Sequence, residues 1–237
     1  MMRPRFLAAL AASAAGSAIL RPGRAGATEN PKDVRATMRA GQRLVAVVVT
    51  EGATVIDFAG PWEVFEATPL PSRDDQAAFY LYLVGPSMSS VEATGGMQLL
   101  PRYTFANAPR PDVVVVGAQR GAPELIPWLQ SQAKGGALMM SVCTGAFKLA
   151  QAGLFDGKRA TTHHDYYDAF EKQFPKVKLV RGPRFVDEGQ VVSAGGLTSG
   201  MNLALHVVER LHGKKHADNV AAYLEFVRTE RPAAETA

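Results

Sequence analysis

The chain has 237 residues, 47% of them hydrophobic and 20% charged, which suits one sizeable domain with a full core. Its formal net charge of +4 comes from the first 27 residues, which carry Arg3, Arg5, Arg21 and Arg24 and no acid. Removing those four from 26 leaves 22 basic residues against 22 acidic ones, so charge makes no case for nucleic-acid binding, and a single cysteine excludes an internal disulfide.

Residues 1–27 read as an export signal. Arg3 and Arg5 precede an Ala-rich apolar segment, and Ala25-Gly26-Ala27 offers a small-residue cleavage site. The chain is therefore expected to be exported, to the periplasm or beyond, and to be free of the membrane after cleavage. No apolar stretch after residue 30 is long enough to span a bilayer. Residues 28–42 are polar, include Pro31 and read as a linker or N-terminal arm. The domain is expected over 43–229, with residues 230–237 as a tail.

Residues 44–49 are a continuous apolar run rich in β-branched valine, predicting a strand buried on both faces. A helix is expected from Gly60, with Pro61 in its first turn. Residues 79–84 predict a second strand, 91–105 a hairpin split by Gly95-Gly96, and 112–117 a third buried strand. A helix over 123–133 precedes the apolar run 137–142, which ends at Cys143 and is followed by a helical pattern. A short strand over 158–162, a helix over 164–174 and short strands near 177–180, 185–186 and 190–193 come next. Helices over 198–211 and 215–228 close the chain. Strands alternating with helices predict an open, largely parallel α/β sheet covered on both faces, with the site beyond the carboxyl ends of the strands.

Cys143 stands at such an end, at a strand–turn–helix junction that exposes a nucleophile and aims helix N–H groups at it. That placement predicts a thiol of depressed pKa. Asp57 lies among apolar neighbours, which would keep its carboxyl protonated as a proton donor; it reads equally well as a helix N-cap. Gly117 and Thr144 could present backbone N–H groups to a developing anion, although a strand-end glycine and a helix cap are the plainer readings. His163 and His164 could supply a base or orient the thiol; being adjacent, they could not both face one pocket if the strand reached them. No metal motif and no nucleotide-binding loop is present in the sequence.

Val115-Val116-Gly117-Ala118, Ser141-Val142-Cys143-Thr144-Gly145-Ala146 and Arg159-Ala160-Thr161-Thr162-His163 resemble the DJ-1/PfpI superfamily. Asp57-Phe58-Ala59-Gly60-Pro61-Trp62, the Cys-Thr-Gly elbow and Ala194-Gly195-Gly196-Leu197-Thr198-Ser199-Gly200 look closer still to isonitrile hydratases. The resemblance covers about residues 43–228. It implies a flavodoxin-like, class I glutamine amidotransferase-like fold and a two-fold homodimer. It also implies Cys143 attack on the terminal carbon of an isonitrile, Asp57 as proton donor, an anion hole at Gly117, Ala118 and Thr144, and no cofactor. The apolar Phe58, Trp62, Val64 and Phe65 lend the dimer support from the sequence itself. Thr144 stands where peptidases of the superfamily carry histidine, and Ala118 replaces the second glycine of a common pair. His164 replaces a common aromatic residue. The alternatives are a binding or redox-sensing domain and a glyoxalase- or deglycase-like activity. The expected partners are a small-molecule substrate and a second copy of the chain.

Overall fold

The computed structural model describes residues 31–71 and 73–228. The expected export signal and the tail over 230–237 lie outside the described residues. Seven strands form the central sheet: β1 (Arg43–Val48), β2 (Phe79–Gly85), β3 (Tyr103–Thr104), β4 (Val113–Val116), β5 (Leu138–Val142), β6 (Phe185–Glu188) and β7 (Val191–Ala194). Their spatial order is β6-β7-β5-β4-β1-β2-β3. All neighbours run parallel except β6 and β7, an antiparallel hairpin closed by Gly189 at φ 81°. The helices are α1 (Pro31–Thr37), α2 (Val55–Glu66), α3 (Leu125–Lys134), α4 (Gly145–Gln151), α5 (Tyr167–Gln173), α6 (Ser199–His212) and α7 (Lys214–Tyr223). Among the described residues no helix is long and apolar enough to cross a membrane.

The strand period of two divides the core into two layers. From β1, Val45 and Val47 pack with Phe58 and Phe65 of α2 and with Leu203 and Val207 of α6. Leu44, Ala46 and Val48 pack on the other face, with Leu125 and Leu129 of α3, Leu149 of α4 and Phe170 of α5. This two-sided burial explains why the central strands are predominantly apolar on both faces, each fully buried large aliphatic side chain stabilising the fold by about 1.5–3 kcal/mol.

The structure bears on three expectations. Residues 31–37, within the expected linker or arm, are helical: Val34 is 2% exposed, and Arg35 donates to the Arg110 carbonyl at 2.6 Å. One buried apolar residue in a seven-residue helix leaves no periodicity to read. Next, α2 begins at Val55, so Pro61 is its seventh residue instead of lying in its first turn. Proline there has no N–H to give the Asp57 carbonyl, and a helix tolerates this only when its packing outweighs the loss. Finally, Phe58, Val64 and Phe65 are 7%, 0% and 0% exposed within the single chain, while Trp62 is only partly buried, so of the four apolar residues that favour a dimer three pack in the chain's own core.

Candidate active site

The carboxyl end of β5 turns sharply at Cys143, which has φ 57°, in the left-handed region where a side chain is strained. Bonds from two other segments hold the backbone there. The Cys143 N–H donates to the Gly195 carbonyl at 2.8 Å, and the buried Thr162 hydroxyl donates to the Cys143 carbonyl at 2.9 Å. Gly145, at the start of α4, completes the turn. A Cβ on it would lie 2.0 Å from the Val116 carbonyl oxygen, so only glycine lets α4 settle against the end of β4.

Asp57 arrives from the first turn of α2 and is fully buried. Its Oδ2 accepts the Ala118 N–H at 2.9 Å, while the Thr54 N–H donates to the Ala118 carbonyl at 2.9 Å. These two bonds clamp the start of α2 to the segment after β4. Gly117 makes room for the clamp: a Cβ there would lie 2.8 Å from the Asp57 Cβ. Asp57 Oδ1 is buried without a hydrogen-bond partner, and the carboxyl lies close enough to the Cys143 thiol and the Leu197 N–H for both to favour its charge. Burial outweighs them, raising the Asp57 pKa from 3.8 to about 6.

The thiol departs from the sequence expectation. Burial first, and then the negative charge of Asp57, push Cys143 up to about 11, against the lowering effect of the Thr144 and Leu197 N–H groups. Helix α4 is only seven residues long, and its N-terminal amides do not offset desolvation at a residue 7% exposed. At neutral pH the proton therefore rests on sulfur and the carboxyl is largely ionised, the reverse of a thiolate beside a protonated acid. Iodoacetamide alkylation of the native chain should accordingly be slow at pH 7 and still rising above pH 9. A rate that levels off below pH 8 would overturn this ordering.

The other expected site residues divide. Thr144 is adjacent to the sulfur, with its N–H acting on it. The Ala118 N–H is taken by Asp57, so it holds the acid rather than an incoming anion, and Gly117 acts by its missing side chain. His163 and His164 do not lie on a strand, since the short strand there is Arg159–Ala160 and His164–Tyr166 forms a 3-10 turn. Their rings stack at 4.4 Å, which the alternation of a strand would have forbidden. His163 is the inner one: a Cβ on Gly196 would fall 2.2 Å from its Cδ2, which places the ring on the loop that carries Leu197. The His164 side chain is 73% exposed. Ligand atoms of His163, His164 and Asp165 lie within 4.8 Å of one another, but Asp165 is 68% exposed and His163 Nδ1 already accepts the Asp165 N–H. That arrangement is a solvated surface group more than a built metal centre.

Sequence reasoning missed Leu197 and Thr162. Leu197 adopts φ 53° and its N–H serves both sulfur and carboxyl. The signal available for it was the glycine-rich run 195–200, whose flanking glycines permit that turn. Thr162 carried no signal apart from its place in Thr161-Thr162-His163.

A family model described as "DJ-1/PfpI family" matches residues 43–210. An isonitrile hydratase of Pseudomonas putida is 33% identical over 178 residues, covering 72% of this chain and 73% of that one. The HTH-type transcriptional regulator GbdR of Pseudomonas aeruginosa is 36% identical over 130 residues, covering 53% of this chain and 35% of the regulator. Among solved structures, a THiJ/PfpI family protein from Pseudomonas syringae superposes with a TM-score of 0.69 at 24% identity, over 83% of this chain and 80% of that one. Drosophila melanogaster DJ-1beta gives 0.67 at 22% identity, over 78% and 99%. These superpositions establish a shared fold.

Proposed function

This chain belongs to the DJ-1/PfpI family, and from that premise we propose that it adds water to isonitriles, giving N-substituted formamides. The observation that carries the reading is the buried pairing of Asp57 with the Cys143 thiol at the end of β5. The 33% identity to an isonitrile hydratase supplies the substrate class. The terminal N≡C group is a slim rod without hydrogens, suited to reaching the sulfur of a residue that is only 7% exposed.

The acidities suggest the order of events. The Asp57 carboxylate takes the thiol proton as sulfur bonds to the terminal carbon, and then returns that proton to the same carbon. The product is a thioimidate, Cys143–S–CH=N–R. Water adds to its carbon as Asp57 takes one water proton and hands it to the nitrogen, giving Cys143–S–CH(OH)–NH–R. This tetrahedral adduct expels the sulfur while its hydroxyl proton passes by way of Asp57 to the thiolate, leaving R–NH–CHO and the thiol. Overall, R–N≡C and water become the formamide, with no change in redox state. The Thr144 and Leu197 N–H groups, which already favour charge on sulfur, would steady the departing thiolate.

The test is purified chain with simple alkyl isonitriles, following formamide by NMR beside a Cys143→Ala control. Because Asp57 acts first as a base, kcat/KM should rise with pH through a midpoint of about 6. No formamide above the control would overturn the reading. A second reading, ligand binding without turnover, draws on the 36% identity to GbdR over part of its length; saturable isonitrile binding without product would favour it. A redox-sensing role gains little from a thiol pushed up to about 11, since oxidation follows thiolate character.

A further inference from the structure

At the end of the sheet away from Cys143, the amino ends of β1, β4 and β5 frame two adjoining cavities of about 190 and 330 Å³. They share Arg43, Asp112 and Gly136; Arg210 lines one, and Arg35 and Arg110 line the other. Four arginines thus meet one aspartate, where an ordinary surface would mix the signs.

Two of these arginines are committed within the fold. Arg35 lies 3.3 Å from Asp112 Oδ1, and Arg210 lies 3.1 Å from Asp187 Oδ2 and donates to the Gly189 carbonyl at 2.9 Å. Asp112 is committed too, since its Oδ2 accepts the Leu44 N–H at 2.7 Å. Arg43 and Arg110 differ: among the described residues neither guanidinium has a carboxylate partner, and Arg43 Nε is buried with no hydrogen bond at all. Such a donor inside a protein calls for an explanation. Gly135 leaves the space for Arg110, because a Cβ there would sit 2.1 Å from its Nη2. The surplus of positive charge is felt nearby: His212 is held below its ordinary pKa by burial, then by the charges of His216 and Arg43.

We propose that this arginine-lined pocket binds a phosphate group, free or carried on a small molecule, independently of the thiol site. Guanidinium forks match phosphate oxygens in pairs. A dianion balances the two uncommitted cations, whereas a single carboxylate would leave one of them unpaired. The larger cavity, about 330 Å³, has room for more than the bare ion, so a phosphomonoester fits the same chemistry.

Titration calorimetry on the whole chain tests this, with inorganic phosphate and with glycerol phosphate, chloride holding the ionic strength constant. Saturable binding is expected, weakened at least about tenfold by Arg43→Gln with Arg110→Gln and unchanged by Cys143→Ala. Tighter binding of the ester identifies a carried phosphate; equal binding identifies the free ion. Circular dichroism and the urea midpoint check that the double variant is folded. If it is not, Arg110→Gln alone, at an exposed side chain, is held to the same threshold. No saturable heat from either ligand up to about 10 mM overturns the proposal. So does undiminished affinity in the folded variant, or loss of binding in Cys143→Ala.

Discussion

Asp57→Asn should cut formamide formation about a thousandfold, close to the Cys143→Ala floor, while making the fold more stable above pH 6. The two effects share one cause. Burial raises the Asp57 pKa from 3.8 to about 6, so the folded chain holds this proton more tightly than the unfolded chain does. The stability this group contributes is full below about pH 3.8 and is lost as pH rises through 6. Above that, the buried carboxylate costs about 3 kcal/mol, a cost asparagine avoids while its side-chain oxygen can still accept the Ala118 N–H. Urea denaturation of the two proteins should diverge between pH 4 and pH 8, with the variant the more stable. Wild-type turnover in the variant, or a stability difference that ignores pH, would refute the account.

Gly145→Ala is expected to be the most damaging single-methyl change at the site. The new Cβ would meet backbone on every side: the Val116 carbonyl oxygen at 2.0 Å, its carbon at 2.8 Å and the Gly117 carbonyl oxygen at 2.9 Å. No flexible side chain can yield, so α4 must lift from β4 or the elbow must rotate. Overpacking of this kind should cost about 3 kcal/mol or more. A 1 Å displacement of sulfur from Asp57 should lower turnover about a hundredfold in the protein that still folds. The urea midpoint and kcat/KM measure both effects. A variant within about 1 kcal/mol of the parent, at full rate, would show that the elbow has slack it is argued not to have.

The central strands were legible because both their faces are buried: 44–49, 112–117 and 137–142 are dominated by apolar residues, β4 and β5 lie within the last two, and β1 overlaps all but the end of the first. The edges were not. β3 is two residues long, and the strand Arg73–Ala77, with the sequence RDDQA, carries no apolar alternation. At α2, Gly60-Pro61 reads as a start signal, yet the helix runs through it because Phe58, Val64 and Phe65 bury one face. For the site, the turn at Cys143 follows from local sequence, whereas the room that Gly117 leaves for Asp57 does not, because the two residues come together only in the fold. The acidity of the thiol does not either, since burial, the charge of Asp57 and the Leu197 N–H all act on it from the folded surroundings. The arginine pocket gathers residues 35, 43, 110 and 210, which no sequence window contains.

Helices α2 and α6 meet through two glycines. A Cβ on Gly60 would lie 2.9 Å from Met201 Cγ, and one on Gly200 would lie 3.0 Å from Val142 Cγ1 and 3.3 Å from Pro61 Cγ. Val142 precedes the sulfur, Pro61 follows the acid by four residues, and Gly200 follows Leu197 by three. The segments that compose the site are thus packed closely against one another, and their opening is expected to be concerted. A bulky disulfide reagent, too large to enter at a cysteine only 7% exposed, must wait for this helix pair to part. With one cysteine in the chain, its labelling rate is a direct clock on that cooperative opening, and its denaturant dependence should follow the parting of α2 from α6 instead of the fraying of a loop.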